Sequence, residues 1–161
     1  NYDVYSETIY GYYIDPAWDS FGSETLYAKI LFADYNEGYV ILEFIGEWND
    51  SINNDIMTLK RGLIEPLQAE GISKFILIGE NVMNFHGSDD SYYEEWWQEA
   101  TEEGGWIVLL GFPDHVISEC KKFGIDRYVE VSEASALFHW RTQTPWQVYD
   151  RLHIQIQRRL S

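Results

Sequence analysis

The chain has 161 residues, the size of one domain with a real core, and its 45% apolar and 17% aromatic content excludes a disordered polymer. Its 27 acidic and 11 basic side chains give a formal net charge of −16. That charge argues against nucleic acid and anionic membrane surfaces as partners and favours a cation or a basic protein surface. The excess is uneven, −10 over residues 1–59, −7 over 60–103 and +1 over 104–161. One cysteine, Cys120, excludes an internal disulfide and reads as a buried structural thiol. No apolar run approaches the roughly 20 residues of a membrane helix, and the start lacks the basic and apolar regions of a signal peptide, so membrane insertion is not expected and the expected location is the cytoplasm.

Residues 1–25 are rich in Tyr and Asp and read as an N-terminal arm with turns in IDPAWDSFGSE. LYAKILFAD (26–34) and YVILEFIGE (39–47) are β-rich runs, and the Tyr35-Asn36-Glu37-Gly38 connection between them signals a hairpin. Asn49 and Asp50 are candidate caps for a helix whose stripe is Ile52, Ile56, Leu59, Leu63 and Leu67, with Pro66 expected to shorten or kink it. KFILIG (74–79) has the composition of a strand buried on both faces. A helix is expected from about residue 90 to 103, a strand at WIVLLG (106–111), a helix at DHVISECKKF and a short strand at RYVEV (127–131). Pro145 opens a last helix, WQVYDRLHIQIQRRL, whose HIQIQ segment also alternates like a strand. The order implies an α/β fold with a mixed sheet of about five strands, an opening hairpin and then alternating helices and strands. The expected layout is an arm (1–25), an α/β domain (26–131) and a C-terminal loop and helix packing on it (132–161).

Several site chemistries lack their motifs. There is no Gly-x-Gly-x-x-Gly, no Walker loop, no Gly-x-Ser-x-Gly elbow and no HExxH, and a lone cysteine excludes a zinc site built on paired cysteines. His115, just after Pro113-Asp114, reads as a surface cap at a helix start, and His153 as a packed or half-exposed residue on an amphipathic face.

The stretch FHGSDDSYYEEWW (85–97) concentrates the remaining chemistry. His86, Asp89, Asp90, Glu94 and Glu95 could offer nitrogen and oxygen ligands to Mg²⁺, Ca²⁺ or Mn²⁺, but their spacing does not match an EF-hand loop. The same acids are sufficient as caps and dipole partners of a helix start, with Ser91-x-x-Glu94 in capping-box spacing. Tyr93, Trp96, Trp97 and Ala100 form a helical stripe that reads as core. A serine at such a junction could also carry a phosphate against the helix N-terminus, opposed by the neighbouring carboxylates.

The order of these motifs resembles the STAS domain, the anti-sigma-factor-antagonist (SpoIIAA-like) family, across about residues 26–131. YVILEFIGEWND is similar to its second strand and "G-E-x-D" turn, and KFILIGENVMNFHGSDDSYYEEWW to its buried strand, loop and serine-opened helix. EEGGWIVLLGFPDHVISECKKFGIDRYVEV is similar to its closing strand, helix and Gly-hydrophobic-Asp-x-hydrophobic ending. Where that family has Asp-Ser-Ser-Gly, this chain has Gly87-Ser88-Asp89-Asp90, a degenerate motif that keeps one serine; Ser91, preceded by Asp90, is a second candidate. The resemblance implies a non-enzymatic regulatory module without metal or other cofactor. Ser88 and Ser91 are its candidate phospho-acceptors, and His86, Asp89, Asp90 and Glu94 its contacts to a protein partner with a basic surface. The alternative it implies is a domain that binds a small apolar or lipid-like ligand.

Overall fold

The structure is a computed structural model and describes residues 22–132 and 140–160. The element order is β1 (Leu26–Asp34), β2 (Tyr39–Asn49), helix α1 (residues 55–69), β3 (Lys74–His86), α2 (Ser91–Glu102), β4 (Trp106–Leu110), α3 (Asp114–Lys122), a 3₁₀ turn (Ile125–Arg127), β5 (Glu130–Ser132), a second 3₁₀ turn (Trp140–Thr142) and α4 (Pro145–Leu160). The expected arm lies almost wholly outside the described residues.

The sheet runs in chain order, β1-β2-β3-β4-β5, with β1 antiparallel to β2 and the other three pairings parallel. This is the mixed five-stranded sheet with an opening hairpin that the sequence pattern implies. The hairpin closes where expected. The Asp34 carboxylate accepts the backbone N–H groups of Asn36 and Glu37 at 3.0 Å each, and Gly38 supplies the left-handed φ of 79° that the turn needs.

Sequential parallel strands joined by crossovers of one hand place every crossover helix on the same face, and α1, α2 and α3 all pack there. Their core rows run straight across the sheet. Val40, Phe75 and Ile107 pair in register, as do Leu42, Leu77 and Leu109, and all face Ile56, Leu59, Trp96, Val116 and Cys120. The alternate residues Ile41, Ile76 and Val108 form the opposite row and pack with Val148, Tyr149, Leu152 and Ile156 of α4. HIQIQ is thus helical because the second sheet face needs a helix across it. Aromatic rings join the two layers: Tyr39 stacks on Tyr149 at 4.2 Å and 4°, with Trp106 and His153 extending the stack. Half-buried His153 also receives the indole N–H of Trp106 at Nδ1, 3.3 Å away.

Helix α1 departs from the expectation at its start, and its winding changes just before Pro66. It begins at Asp55, so Ile52 lies in the preceding turn, 81% exposed, instead of on the apolar stripe. It also runs past Pro66, as α-helical turns Asp55–Leu59 and Glu65–Ala69 joined by a π-helical turn, Lys60–Ile64. The proline ring would press on the carbonyl of Gly62 in a regular helix; widening the preceding turn relieves that contact. The same turn carries Lys60, fully buried, whose ammonium meets Glu65 and Glu95 at 3.1 Å and Glu99 at 2.6 Å. Burial alone would push this group down, but its bonds to Glu99, Glu65 and Glu95 outweigh that and hold it above its ordinary value. One lysine thus ties α1 to α2.

Strand β3 is longer than the apolar run KFILIG, because β2 continues beside it from Ile45 to Asn49 and pairs residues 81–86 across two bulges. β5 begins at Glu130, three residues later than expected, since residues 125–127 take a 3₁₀ turn.

Leu152→Ala, at a position 1% exposed in the second core, should cost about 2–5 kcal/mol, read as a lower urea midpoint with unchanged slope. A loss below about 1 kcal/mol would mean that α4 is not integral to the core.

Candidate functional site

The carboxyl ends of β2 and β3 overhang β4, which pairs β3 only as far as Ile78. The loop that leaves this overhang, residues 87–90, is the stretch singled out in the sequence.

His86 ends β3 with its side chain exposed, and its carbonyl accepts the N–H groups of Asp50 at 2.8 Å and Ser51 at 3.3 Å. Gly87 is buried, and a Cβ there would stand 2.3 Å from the ring of Phe123. This contact is a steric reason for the absence of any side chain at the position where the Asp-Ser-Ser-Gly pattern begins with Asp. Ser88 is exposed and has no hydrogen-bond partner among the described residues.

Asp89 and Asp90 follow with distinct roles. The Asp89 carboxylate accepts the Ser91 hydroxyl at 2.5 Å and its N–H at 3.0 Å, and these two bonds hold its carboxyl below the ordinary range. Asp90 precedes α2 and accepts the Glu94 N–H at its carbonyl, 2.9 Å away. Its carboxylate turns the other way, to the guanidinium of Arg127 at 2.5 Å and the phenol of Tyr128 at 3.0 Å. Exposed Glu94 lies at the far side of that phenol, at 3.4 Å. The capping box expected from Ser91-x-x-Glu94 is not made: Ser91 is the first helical residue, and its hydroxyl is occupied by Asp89.

The structure therefore gathers Ser88, Asp89, Asp90, Ser91 and Glu94 at one edge and leaves Asp90 already paired. It adds two residues from outside the stretch 85–97, and it moves Trp97 from the core to this edge. Arg127 and Tyr128 come from the turn before β5, and the Tyr128 ring contacts that of Trp97 at 5.7 Å. Trp97, expected in the core, is 36% exposed, whereas Trp96 is buried as expected. An open recess of about 230 Å³ lies beside this pair, with Asp126, Arg127 and Thr101 on its border.

Beneath the loop lies a buried carboxylate. Asp50 is 4% exposed. Its Oδ1 accepts the Trp48 indole N–H at 3.0 Å and the Ile56 backbone N–H at 2.8 Å, and its Oδ2 accepts the Tyr93 phenol at 2.5 Å. The Asp50 carboxylate thus takes a first-turn N–H of α1, whose N-cap position is Asn54, and also reaches α2, whereas the Asn49 side chain accepts from Ser51 and Ile52 instead of from the helix. Neighbouring space is tight: the apolar cavity among Trp48, Phe85, Trp96 and Cys120 measures about 10 Å³. Cys120 is buried and free, its thiol pushed up to about 12 by burial. Among the described residues no group of three or more His, Cys, Asp or Glu is disposed to hold a metal ion. His115 is exposed and donates from Nε2 to the carbonyl of Met83 at 2.6 Å, tying α3 to the β3 overhang instead of capping its own helix.

Gly87→Ala should destabilise the protein by about 1–3 kcal/mol through the Phe123 clash, with a smaller cost when Phe123 is also truncated to Leu. Equal melting temperatures for the variant and the parent would show that the loop is not seated on that ring.

No known family model matches the chain, and no curated protein matches it in sequence. Solved structures do. The anti-sigma factor antagonist SpoIIAA in its unphosphorylated form aligns with a TM-score of 0.52 at 13% identity, over 78% of this chain and 97% of that one. The Bacillus cell fate determinant SpoIIAA in its phosphorylated form aligns with a TM-score of 0.51 at 11% identity, over 78% and 98%. The five-stranded sheet, its opening hairpin and the helices of its first face are those of the STAS fold, which this chain carries in a widely diverged sequence.

Proposed function

We propose that the chain is a non-enzymatic regulatory module that binds a protein partner through the edge formed by residues 88–91, Glu94 and the Trp97–Tyr128 pair. The observation that carries this reading is the state of the loop. It is exposed at Ser88 and Asp89, yet fixed from both sides by the Asp89–Ser91 and Asp90–Arg127 bonds. A contact surface preorganised in this way loses little entropy on binding. The sheet supports it too. Strands β2 to β5 run in sequence with no reversal of order, so the carboxyl edge lacks the switch-point crevice where open α/β sheets hold small ligands.

The partner chemistry follows from charge. Asp90 is neutralised locally by Arg127, so the negative contacts offered are Asp89 and Glu94, with His86 at the loop's start. A basic protein surface fits them, and nucleic acid does not. Ser88 is the better of the two candidate phospho-acceptors, because its hydroxyl is open while that of Ser91 is held by Asp89. The setting we assign is the cytoplasm; among the described residues no helix is long and apolar enough to cross a membrane. The second reading, an apolar or lipid-like ligand in the interior, has little room in the 10 Å³ space beneath Trp96, since ligand pockets usually measure ~300 Å³ or more.

Affinity capture from cells of origin, repeated with Asp89→Asn/Glu94→Gln and at raised salt, tests the reading. The double variant should retain the partner about three- to tenfold less well, and salt should weaken the parent more than the variant. Capture indifferent to both changes would exclude this face.

A further inference from the structure

The turn between β2 and α1, residues 50–54, leaves the sheet beside the contact loop. Asn49 and His86 pair at the ends of β2 and β3, and the His86 carbonyl accepts the N–H groups of Asp50 at 2.8 Å and Ser51 at 3.3 Å. The tip of the turn is Ile52. It is 81% exposed, more than any other large apolar side chain among the described residues, and it belongs to neither core. One apolar side chain in water is ordinary on a protein surface; what sets Ile52 apart is the fixed turn that displays it. The Asn49 side chain accepts the Ile52 N–H at 2.9 Å and the Ser51 hydroxyl at 3.1 Å. Asn53 donates its N–H to the Asn49 carbonyl and its side-chain amide to the Thr25 hydroxyl, at 3.3 Å each. Asn54 closes the turn in the left-handed region, at φ 52°. The polar side chains on both sides of Ile52 therefore hold the turn, and the turn holds the isoleucine out in water.

We propose that Ile52 is the apolar anchor of the partner interface, inserting into an apolar socket of a protein whose neighbouring basic side chains meet Asp89 and Glu94. This rests on the contact face proposed above and extends it across the end of β2. Strand order places the acids between two apolar groups. β2 ends in the turn that carries Ile52, β3 in the loop that carries Asp89, and Tyr128 leads into β5. At ~4.8 Å per strand the distance from β2 to β5 is about 14 Å, which fits within one partner's share of an ordinary interface. Charge fixes the class of partner. Residues 49–55 contain no Lys or Arg, and the guanidinium of this edge, Arg127, is taken by Asp90. A basic margin around the socket is therefore attracted, while a second copy of this chain, at −16, is repelled. An anchor on a preformed turn is buried with little ordering cost, and burying an isoleucine corresponds to about ten- to a hundredfold in affinity.

The test places the photoreactive residue p-benzoylphenylalanine at position 52, 88 or 154 of the chain and irradiates it in cells of origin. Ile154, 50% exposed on α4, is the control. Positions 52 and 88 should give adducts with one and the same protein, and position 154 should not. Added parent protein should suppress the position-88 adduct at about tenfold lower concentration than Ile52→Ser does, whereas Ile52→Leu should compete like the parent. Without any partner, Ile52→Ser should melt within about 2 °C of the parent, as expected of an exposed side chain. A larger fall would make Ile52 a packing residue and overturn the anchor. Equal competition by Ile52→Ser, the same adduct at position 154, or an adduct at 88 with none at 52 would also overturn it. Adducts at 52 with none at 88 would exclude the acidic loop and keep the anchor, so the two failures are distinguishable. No adduct at either position would overturn both.

Discussion

Two-sided burial of the central strands is the constraint on which the architecture depends. Residues 39–44, 75–78 and 106–110 are buried without a break, so a single layer of helices would leave every second side chain in water. Crossovers of one hand spend α1, α2 and α3 on one face. The other must be covered by something from outside the β-α alternation, and α4 does so through Tyr149, Leu152 and the stack on Tyr39. The polar requirement follows the same geometry. Groups that cannot avoid the interior, Lys60 and Asp50, lie where helices meet and collect three partners each.

That division leaves the carboxyl edge of the sheet as the place where structure is cheapest to vary. β3 overhangs β4 there, and the loop beyond it is held by few contacts: bonds to one guanidinium, one phenol and one serine, and the packing of Gly87 on one phenylalanine ring. Loops held in this manner on a rigid scaffold are where binding sites tend to be found. The negative charge so prominent in the sequence is not all available at this edge. Arg127 takes Asp90, and on the neighbouring helices Lys60 takes Glu65, Glu95 and Glu99.

The strands and the helix faces were legible in the sequence because period and composition are local. Val40, Leu42 and Phe44 alternate with Tyr39 and Ile41, and a reader needs only the run itself to see that both faces are apolar. The acids of residues 89–94 were legible as helix-start chemistry for the same reason. What could not be read were meetings between distant residues. Arg127 lies 37 residues from Asp90, and Tyr93 lies 43 from Asp50; no local pattern marks either pair. Ile52 misled because three- and four-residue spacing continues one step before the helix begins, into a turn where Asn54 adopts a left-handed conformation. Trp97 misled because it belongs to the stripe by spacing but lies at its margin, where Tyr128 covers only part of it.

The π turn in α1 bears on how one helix can carry a proline and still keep its seat on the core. Such a turn accommodates one residue more than a regular helix needs, while the segments on either side stay in phase with the surface they pack on. Ile56 and Leu59 before it, and Leu67 after it, all reach the same core. A regular α-helical turn at 60–64 would instead bring the carbonyl of Gly62 under the ring of Pro66. The wide turn and the proline are therefore sterically matched, and Lys60, with its three glutamates, sits in that turn.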